Sequence, residues 1–169
     1  MTKILFICHG NICRSVMAEM VMKERCRQAG VDNLFEIDSA AVSREEIGND
    51  IYPPAKRKLH EKGIPFTFHA ARQITRADYD YYDYIICADR SNLRWLERII
   101  GEDKAHKVSL MMAWPKFEII NHKSPYSVSR SGEITNDVPD VSDPWYTGDF
   151  EAAYCDIDES CRALLKQLT

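Results

Sequence analysis

No stretch of this chain approaches the roughly eighteen consecutive apolar residues that a bilayer-spanning helix requires. Its opening, MTKILFICHG, holds only a short apolar segment and no small-residue cleavage site, so a soluble, unprocessed, cytoplasmic protein with no membrane partner is expected. A basic excess is missing too: 22 Lys and Arg face 26 Asp and Glu, for a net charge of -4. Binders of the phosphate backbone carry a dominant basic face, so nucleic acid is not an expected partner. No internal repeat or second composition block interrupts the 169 residues, which predicts one domain over 1–169. Six cysteines come with no other sign of secretion, and 45% hydrophobic residues suffice for a core without disulfide staples. Reduced thiols are expected.

What is present alternates. Residues 3–8, KILFIC, form a nearly continuous apolar run of the kind that lies in a strand buried on both faces. The segment SVMAEMVMKERCRQAG, 15–30, predicts a helix with Ser15 as N-cap and Gly30 as stop. It sets Val16, Met17, Met20, Val21 and Met22 broadly to one side, and Glu19 four residues before Lys23. Strands are then predicted over 34–42, briefly near 65–70, over 82–90 and over 106–114. Helices are predicted over 53–63, which opens on prolines, and from Ser91 to Gly101. DYDYYDY, 78–84, reads as a solvated turn. The closing helix carries Phe150, Ala153, Tyr154, Ile157, Cys161 and Leu164 at i, i+3, i+4, i+7 spacing. Such alternation predicts an α/β fold, a parallel sheet with helices on both faces.

One long loop, about 115–148, breaks the pattern. Residues 116–135 read as a solvated insertion, whereas DPWY displays an acid and two large aromatics, which points to use. A second segment asks for chemistry. CHGNICRS, 8–15, lies between the first strand and the first helix, and in an open parallel sheet ligands bind beyond such strand ends. A loop of this size curls its N–H groups around one tetrahedral oxyanion, at a helix N-terminus that favours negative charge. Arg14 adds a fork matched to phosphate. The same positive surroundings favour the thiolate of Cys8, and a thiolate facing phosphorus is a nucleophile. His9 and Cys13 lie nearby, but no fourth ligand at short spacing accompanies them, so no metal and no cofactor are expected.

Cys8-x5-Arg14-Ser15, followed far downstream by Asp143-Pro144-Trp145-Tyr146, with DSAAV, EIG and ARQI between, resembles the low-molecular-weight protein tyrosine phosphatases over nearly the whole chain. The resemblance implies a three-layer α/β/α sandwich around a four-stranded parallel sheet of order 2-1-3-4. It implies metal-free hydrolysis of phosphotyrosine and small aryl phosphates through a phosphocysteine intermediate, with phosphotyrosine proteins or peptides as partners and phosphate or vanadate as inhibitors. Cys8 takes the nucleophile's place, Arg14 the phosphate clamp's and Asp143 the general acid's, on the long loop. His9, Gly10, Asn11, Ile12, Cys13, Ser15, Trp145 and Tyr146 would bind substrate, and Ser39 and His69 would support the loop. The resemblance also assigns Cys13 the role of capturing an oxidised Cys8 as a disulfide.

Departures from the family pattern are specific. Val16 replaces the proline usual after the Arg-Ser pair, and Arg44 and Glu45 stand where a rim aromatic is common before EIG. The aromatic grip is then expected mainly from Trp145 and Tyr146, with Asp140 as runner-up for the acid. Three other readings share parts of the pattern. An arsenate reductase needs relay cysteines, and 88–100 contains none. A phosphoarginine phosphatase typically has a small polar residue where this loop has Ile12. A non-catalytic phosphopeptide module would keep the cradle without needing Asp143.

Overall fold

The computed structural model describes residues 1–116 and 138–169. Strand β1, Thr2–Cys8, carries Ile4, Leu5, Phe6 and Ile7, all fully buried, which is why this run needs no polar alternation. Beside it lie β2, Phe35–Ala41, and β3, Tyr84–Cys87, and β4, Val108–Leu110, completes a parallel sheet of order β2-β1-β3-β4. The last strand is much shorter than 106–114, because the chain turns into a 3-10 segment at Met111–Ala113 that buries Trp114. Residues 65–70 form no strand; that stretch contributes no sheet pairing, and the nearby link to the sheet is a single bridge, Ala41 with Gln73.

Right-handed crossovers place the helices. Passing from β1 to β2 puts α1, Arg14–Gln28, on one face, where it packs on β1, β2 and the closing helix α6, Phe150–Leu168. Passing in the opposite direction from β3 to β4 puts α4, Arg90–Ile100, on the other face. The remaining helices are α2, Pro53–Glu61, α3, Arg76–Tyr81, and the short α5, Pro144–Thr147.

Several expectations are corrected. Helix α1 is not one-sided: from Arg14 to Met22 every residue is buried, with the sheet beneath and α6 alongside. Its N-cap is Cys13, without a side-chain cap, so Ser15 lies inside the first turn and is released for another bond. Glu19 is buried too, yet the pair it forms with Lys23 four residues on is present as expected. The acidic-aromatic run includes most of α3, started by a reciprocal capping box between Thr75 and Asp78, and Tyr82 is buried just after it. Helix α4 is capped by Asp89 rather than Ser91: its carboxylate accepts from the Asn92 N–H at 2.8 Å.

The sheet order has a geometric consequence. From β1 the chain turns one way to β2, and from β3 the other way to β4, so the two strand ends that carry Cys8 and Asp89 flank the switch point. A crevice opens there.

Candidate active site

The loop after β1 commits its acceptors to the protein. The Cys8 carbonyl accepts from Val42 N–H (3.0 Å), that of His9 from Ser43 N–H (3.1 Å), that of Ile12 from Tyr52 N–H (2.9 Å), and that of Cys13 from Met17 N–H (2.9 Å). The Asn11 carbonyl lies 3.0 Å from His69 Nε2. With these five carbonyls engaged, most of the polar backbone groups left for the crevice are amide N–H groups of the loop and of the first turn of α1.

Asn11 holds this curl. Its φ of 60° lies in the left-handed region, which Asn tolerates better than most residues, and its side chain is satisfied at both ends. Asn11 Nδ2 donates to Ser15 Oγ and Ser39 Oγ, both at 2.9 Å, while Oδ1 accepts from Arg72 N–H at 3.1 Å and lies 3.0 Å from His69 Nε2. Ser39 in turn donates to the buried Glu19 carboxylate at 2.6 Å, and Lys23 binds the other oxygen of Glu19. Because Ser15 Oγ accepts from Asn11, its own proton is free to point at Cys8 Sγ, 3.0 Å away. Asn11 N–H adds a second donor to that sulfur at 3.3 Å. Two donors thus converge on the sulfur of a residue that is only 3% exposed.

Arg14 is 2% exposed and anchored at one end. Its NH1 donates to Asp89 Oδ2 at 2.7 Å and to the Val141 carbonyl at 2.8 Å, while NH2 reaches Asp143 Oδ2 at 3.2 Å. Burial opposes the charge, but Cys8, Asp89 and Asp143 outweigh it and raise the guanidinium above its ordinary pKa. Asp143 caps α5 through Oδ1, which accepts from Trp145 N–H at 3.1 Å, so one carboxylate both starts the short helix and meets Arg14. The segment bearing it is pinned by Val141 N–H on the Ala88 carbonyl (2.9 Å) and by Arg90 on Asp140 (2.7 Å). Asp140 is therefore engaged with α4, and Asp137 lies outside the described residues.

These groups enclose a cavity of about 120 Å³, lined by Cys8, His9, Gly10, Ile12, Cys13, Arg14, Asp143, Trp145 and Tyr146, with Glu45 and Glu46 at its edge. Every residue expected to touch a ligand is in that lining except Asn11 and Ser15, which are buried behind it. Ser39 and His69 are joined to the loop through Asn11. Burial, then the charges of Cys8 and Asp143, push the Cys13 thiol far up, so it stays a neutral thiol beside Cys8. A wider groove of about 590 Å³ adjoins across Trp145, whose ring packs on Tyr52 with centroids 4.9 Å apart.

Sequence reasoning missed Asp89, Glu46 and Tyr52. Asp89 had a readable signal: it is an acid directly beyond the strand that neighbours β1 at the switch point. The insertion at 116–135 lies almost entirely outside the described residues. Among those residues, no cluster of three His, Cys, Asp or Glu side chains is placed to hold a metal ion. No helix among them is long and apolar enough to cross a membrane.

The family model for low molecular weight phosphotyrosine protein phosphatase matches residues 3–169. The chain belongs to that family. A human low molecular weight phosphotyrosine protein phosphatase is 37% identical over 169 residues, covering 97% of this chain and 94% of the relative. The crystal structure of YfkJ from Bacillus subtilis superposes with a TM-score of 0.83 at 31% identity, covering 99% of this chain and 94% of that one. A drosophila arginine phosphatase shares the fold, with a TM-score of 0.79 at 26% identity over 99% of this chain and 98% of its own.

Proposed function

We propose that this member of the family hydrolyses phosphotyrosine in proteins or peptides, and small aryl phosphates, through a phosphocysteine intermediate. The observation that carries the reading is that Cys8, Arg14 and Asp143 line one small cavity. Cys8 Sγ attacks phosphorus as the bond to the phenolic oxygen breaks, and Asp143 gives its proton to that oxygen. Water then attacks the cysteinyl phosphate, its proton goes to Asp143, and Cys8 leaves as thiolate with Ser15 donating to it. Arg14 and the loop amides bind the equatorial oxygens in both steps.

The anchoring of Arg14 suits this sequence. NH1 remains with Asp89 and Val141, so an arriving phosphate competes only for the edge now shared with Asp143. The dianion thereby takes over the guanidinium and releases the carboxyl to act as the acid. Trp145 and Tyr146 offer the aromatic wall for the tyrosine ring, with Tyr52 backing Trp145.

Leaving-group dependence tests the assignment. Asp143→Asn should lower kcat for phosphotyrosine by about 10²–10⁴-fold, and far less for p-nitrophenyl phosphate, whose leaving group is already acidic. Equal losses on both substrates, or the same selectivity appearing in Asp140→Asn instead, would remove Asp143 from the role of acid. Phosphoarginine belongs in the same assay because of the arginine phosphatase neighbour; the bulk of Ile12 in the cavity favours the flat phenolic ring, so its turnover should be the lower.

Redox behaviour follows from the same site. Cys8 and Cys13 are both free thiols lining one cavity. Cys8 as thiolate is the form peroxide attacks, and its oxidation to a sulfenic acid leaves the neutral Cys13 thiol, kept protonated first by burial, beside an electrophilic sulfur. The Cys13 sulfur then attacks the sulfenic sulfur, and the hydroxyl leaves with the Cys13 proton as water, forming the disulfide. Wild type should recover with dithiothreitol after peroxide and yield a Cys8–Cys13 linked peptide by mass spectrometry, while Cys13→Ser should recover less. Equal recovery without a linked peptide would leave Cys13 a packing residue.

A further inference from the structure

His9 marks where the site continues beyond the pocket. Its ring lies at the cavity edge, with Nε2 3.1 Å from Glu45 Oε2, and meets the Trp95 ring edge-on with centroids 5.8 Å apart. Trp95 belongs to α4 and is 40% exposed. That helix turns Asn92, Leu93, Leu96 and Ile100 into the protein, which leaves Ser91, Arg94, Trp95 and Arg98 as an exposed stripe at i, i+3, i+4, i+7 spacing. The Arg98 guanidinium stands 5.6 Å from the centre of the Trp95 ring. Neither Arg94 nor Arg98 has a carboxylate partner among the described residues, whereas Arg90 on the same helix is bound to Asp140. Glu97, the one acid of α4, lies about 100° or more around the helix from the middle of this stripe.

A lone exposed indole is ordinary on a protein surface. This one is continuous with the catalytic pocket through His9, and two uncompensated guanidiniums accompany it in a chain of net charge -4. We propose that the Arg94–Trp95–Arg98 face of α4 is a substrate subsite that takes acidic side chains flanking the phosphotyrosine. The inference rests on the phosphatase reading above and adds to it a rule of substrate choice. Arginine forks pair with carboxylates, and the indole gives the peptide a flat bed. An extended peptide advances about 3.3 Å per residue, so the residues read here are about one to three positions from the phosphotyrosine. Glu45, bonded to His9, borders the same route, so the acids are read beyond it on the α4 face, and the preference belongs to the one flank that leaves the cavity over that helix.

The test compares kcat/KM for phosphotyrosine peptides bearing three Glu or three Lys residues on the N-terminal or the C-terminal side, with p-nitrophenyl phosphate as control. Wild type should prefer Glu over Lys on one flank by about 10-fold, the product of two exposed pairs of modest strength. Arg94→Glu with Arg98→Glu should invert that preference, Arg94→Gln with Arg98→Gln should abolish it, and Trp95→Ala should lower all peptides extended on that flank. All three variants should turn over p-nitrophenyl phosphate within about 2-fold of wild type, since none of these residues lines the cavity. A wild type that is active but indifferent to flanking charge overturns the subsite alone, as does an unchanged ranking in both arginine variants. A wild type inactive on phosphotyrosine and p-nitrophenyl phosphate alike overturns the phosphatase reading, and the subsite with it.

Discussion

Cys8→Ser is expected to lower turnover by about 10⁴-fold or more while leaving phosphate and vanadate binding largely intact. The two properties reside in different atoms. Anion binding draws on the loop amides and Arg14, and the loop's curl is set by carbonyl bonds to Val42, Ser43, Tyr52 and Met17 that do not involve the sulfur. The donors now aimed at Cys8, from Ser15 and from Asn11 N–H, would serve a serine oxygen equally well, so the fold of the loop should survive. Nucleophilicity does not survive, because an alcohol at neutral pH has no charge and no base stands beside it: Ser15 is committed to Asn11 and Asp143 to Arg14. Vanadate titration followed through Trp145, which lines the cavity, would measure binding, and aryl phosphate hydrolysis would measure turnover. Turnover near the wild-type level would take the nucleophile's role from Cys8.

What could be read in advance follows the range of each interaction. The run at 3–8 was legible as a buried strand because complete burial leaves no need for alternation, and Ile4, Leu5, Phe6 and Ile7 are indeed fully buried. Cys8 and Arg14 were legible because the oxyanion they suit is bound by local geometry, one loop and one helix turn. Asp143 was legible only through its match to a known pattern: its partner Arg14 is far away in sequence, and no local periodicity joins them. Asp89 escaped for the same reason. Its carboxylate caps α4 and binds Arg14, but Ser91, two residues later, is an equally good cap by composition.

Other misreadings came from tertiary context overriding local preference. Residues 65–70 have strand composition, yet they pair with neither edge strand, and the chain there touches the sheet only through the single Ala41–Gln73 bridge that follows. Ser15 has the right chemistry to cap α1, but its hydroxyl is drawn toward Cys8 and Asn11, and the helix begins without a side-chain cap. Glu19 does pair with Lys23 as its spacing predicts, but that is only part of its role. Burial against Ser39 turned it into the far end of the chain of hydrogen bonds that ends at the Cys8 sulfur. Such chains link α1, β2 and the loop, so no window of sequence contains them.

Arg14→Lys should lower kcat/KM by about 10³-fold or more, although the charge is kept, and the anchoring explains why. In the native site one guanidinium nitrogen, NH1, is spent on Asp89 and the Val141 carbonyl, and the rest of the planar group is left to face the cavity. An ammonium has a single nitrogen. It can satisfy the partly buried Asp89 at the wall or reach the phosphate, and in either place it lacks the two parallel N–H bonds that match a phosphoryl edge. If it retreats to Asp89, the transition-state charge loses its clamp; if it advances, it strands a carboxylate behind the pocket. Asp89→Asn therefore separates the two costs. Combined with Arg14→Lys it removes the stranded charge, and phosphate binding should recover relative to Arg14→Lys alone while kcat stays low, because the fork is still absent. Measured kcat/KM within about 10-fold of wild type for Arg14→Lys would show that a point charge suffices, and the bidentate clamp would have to be abandoned.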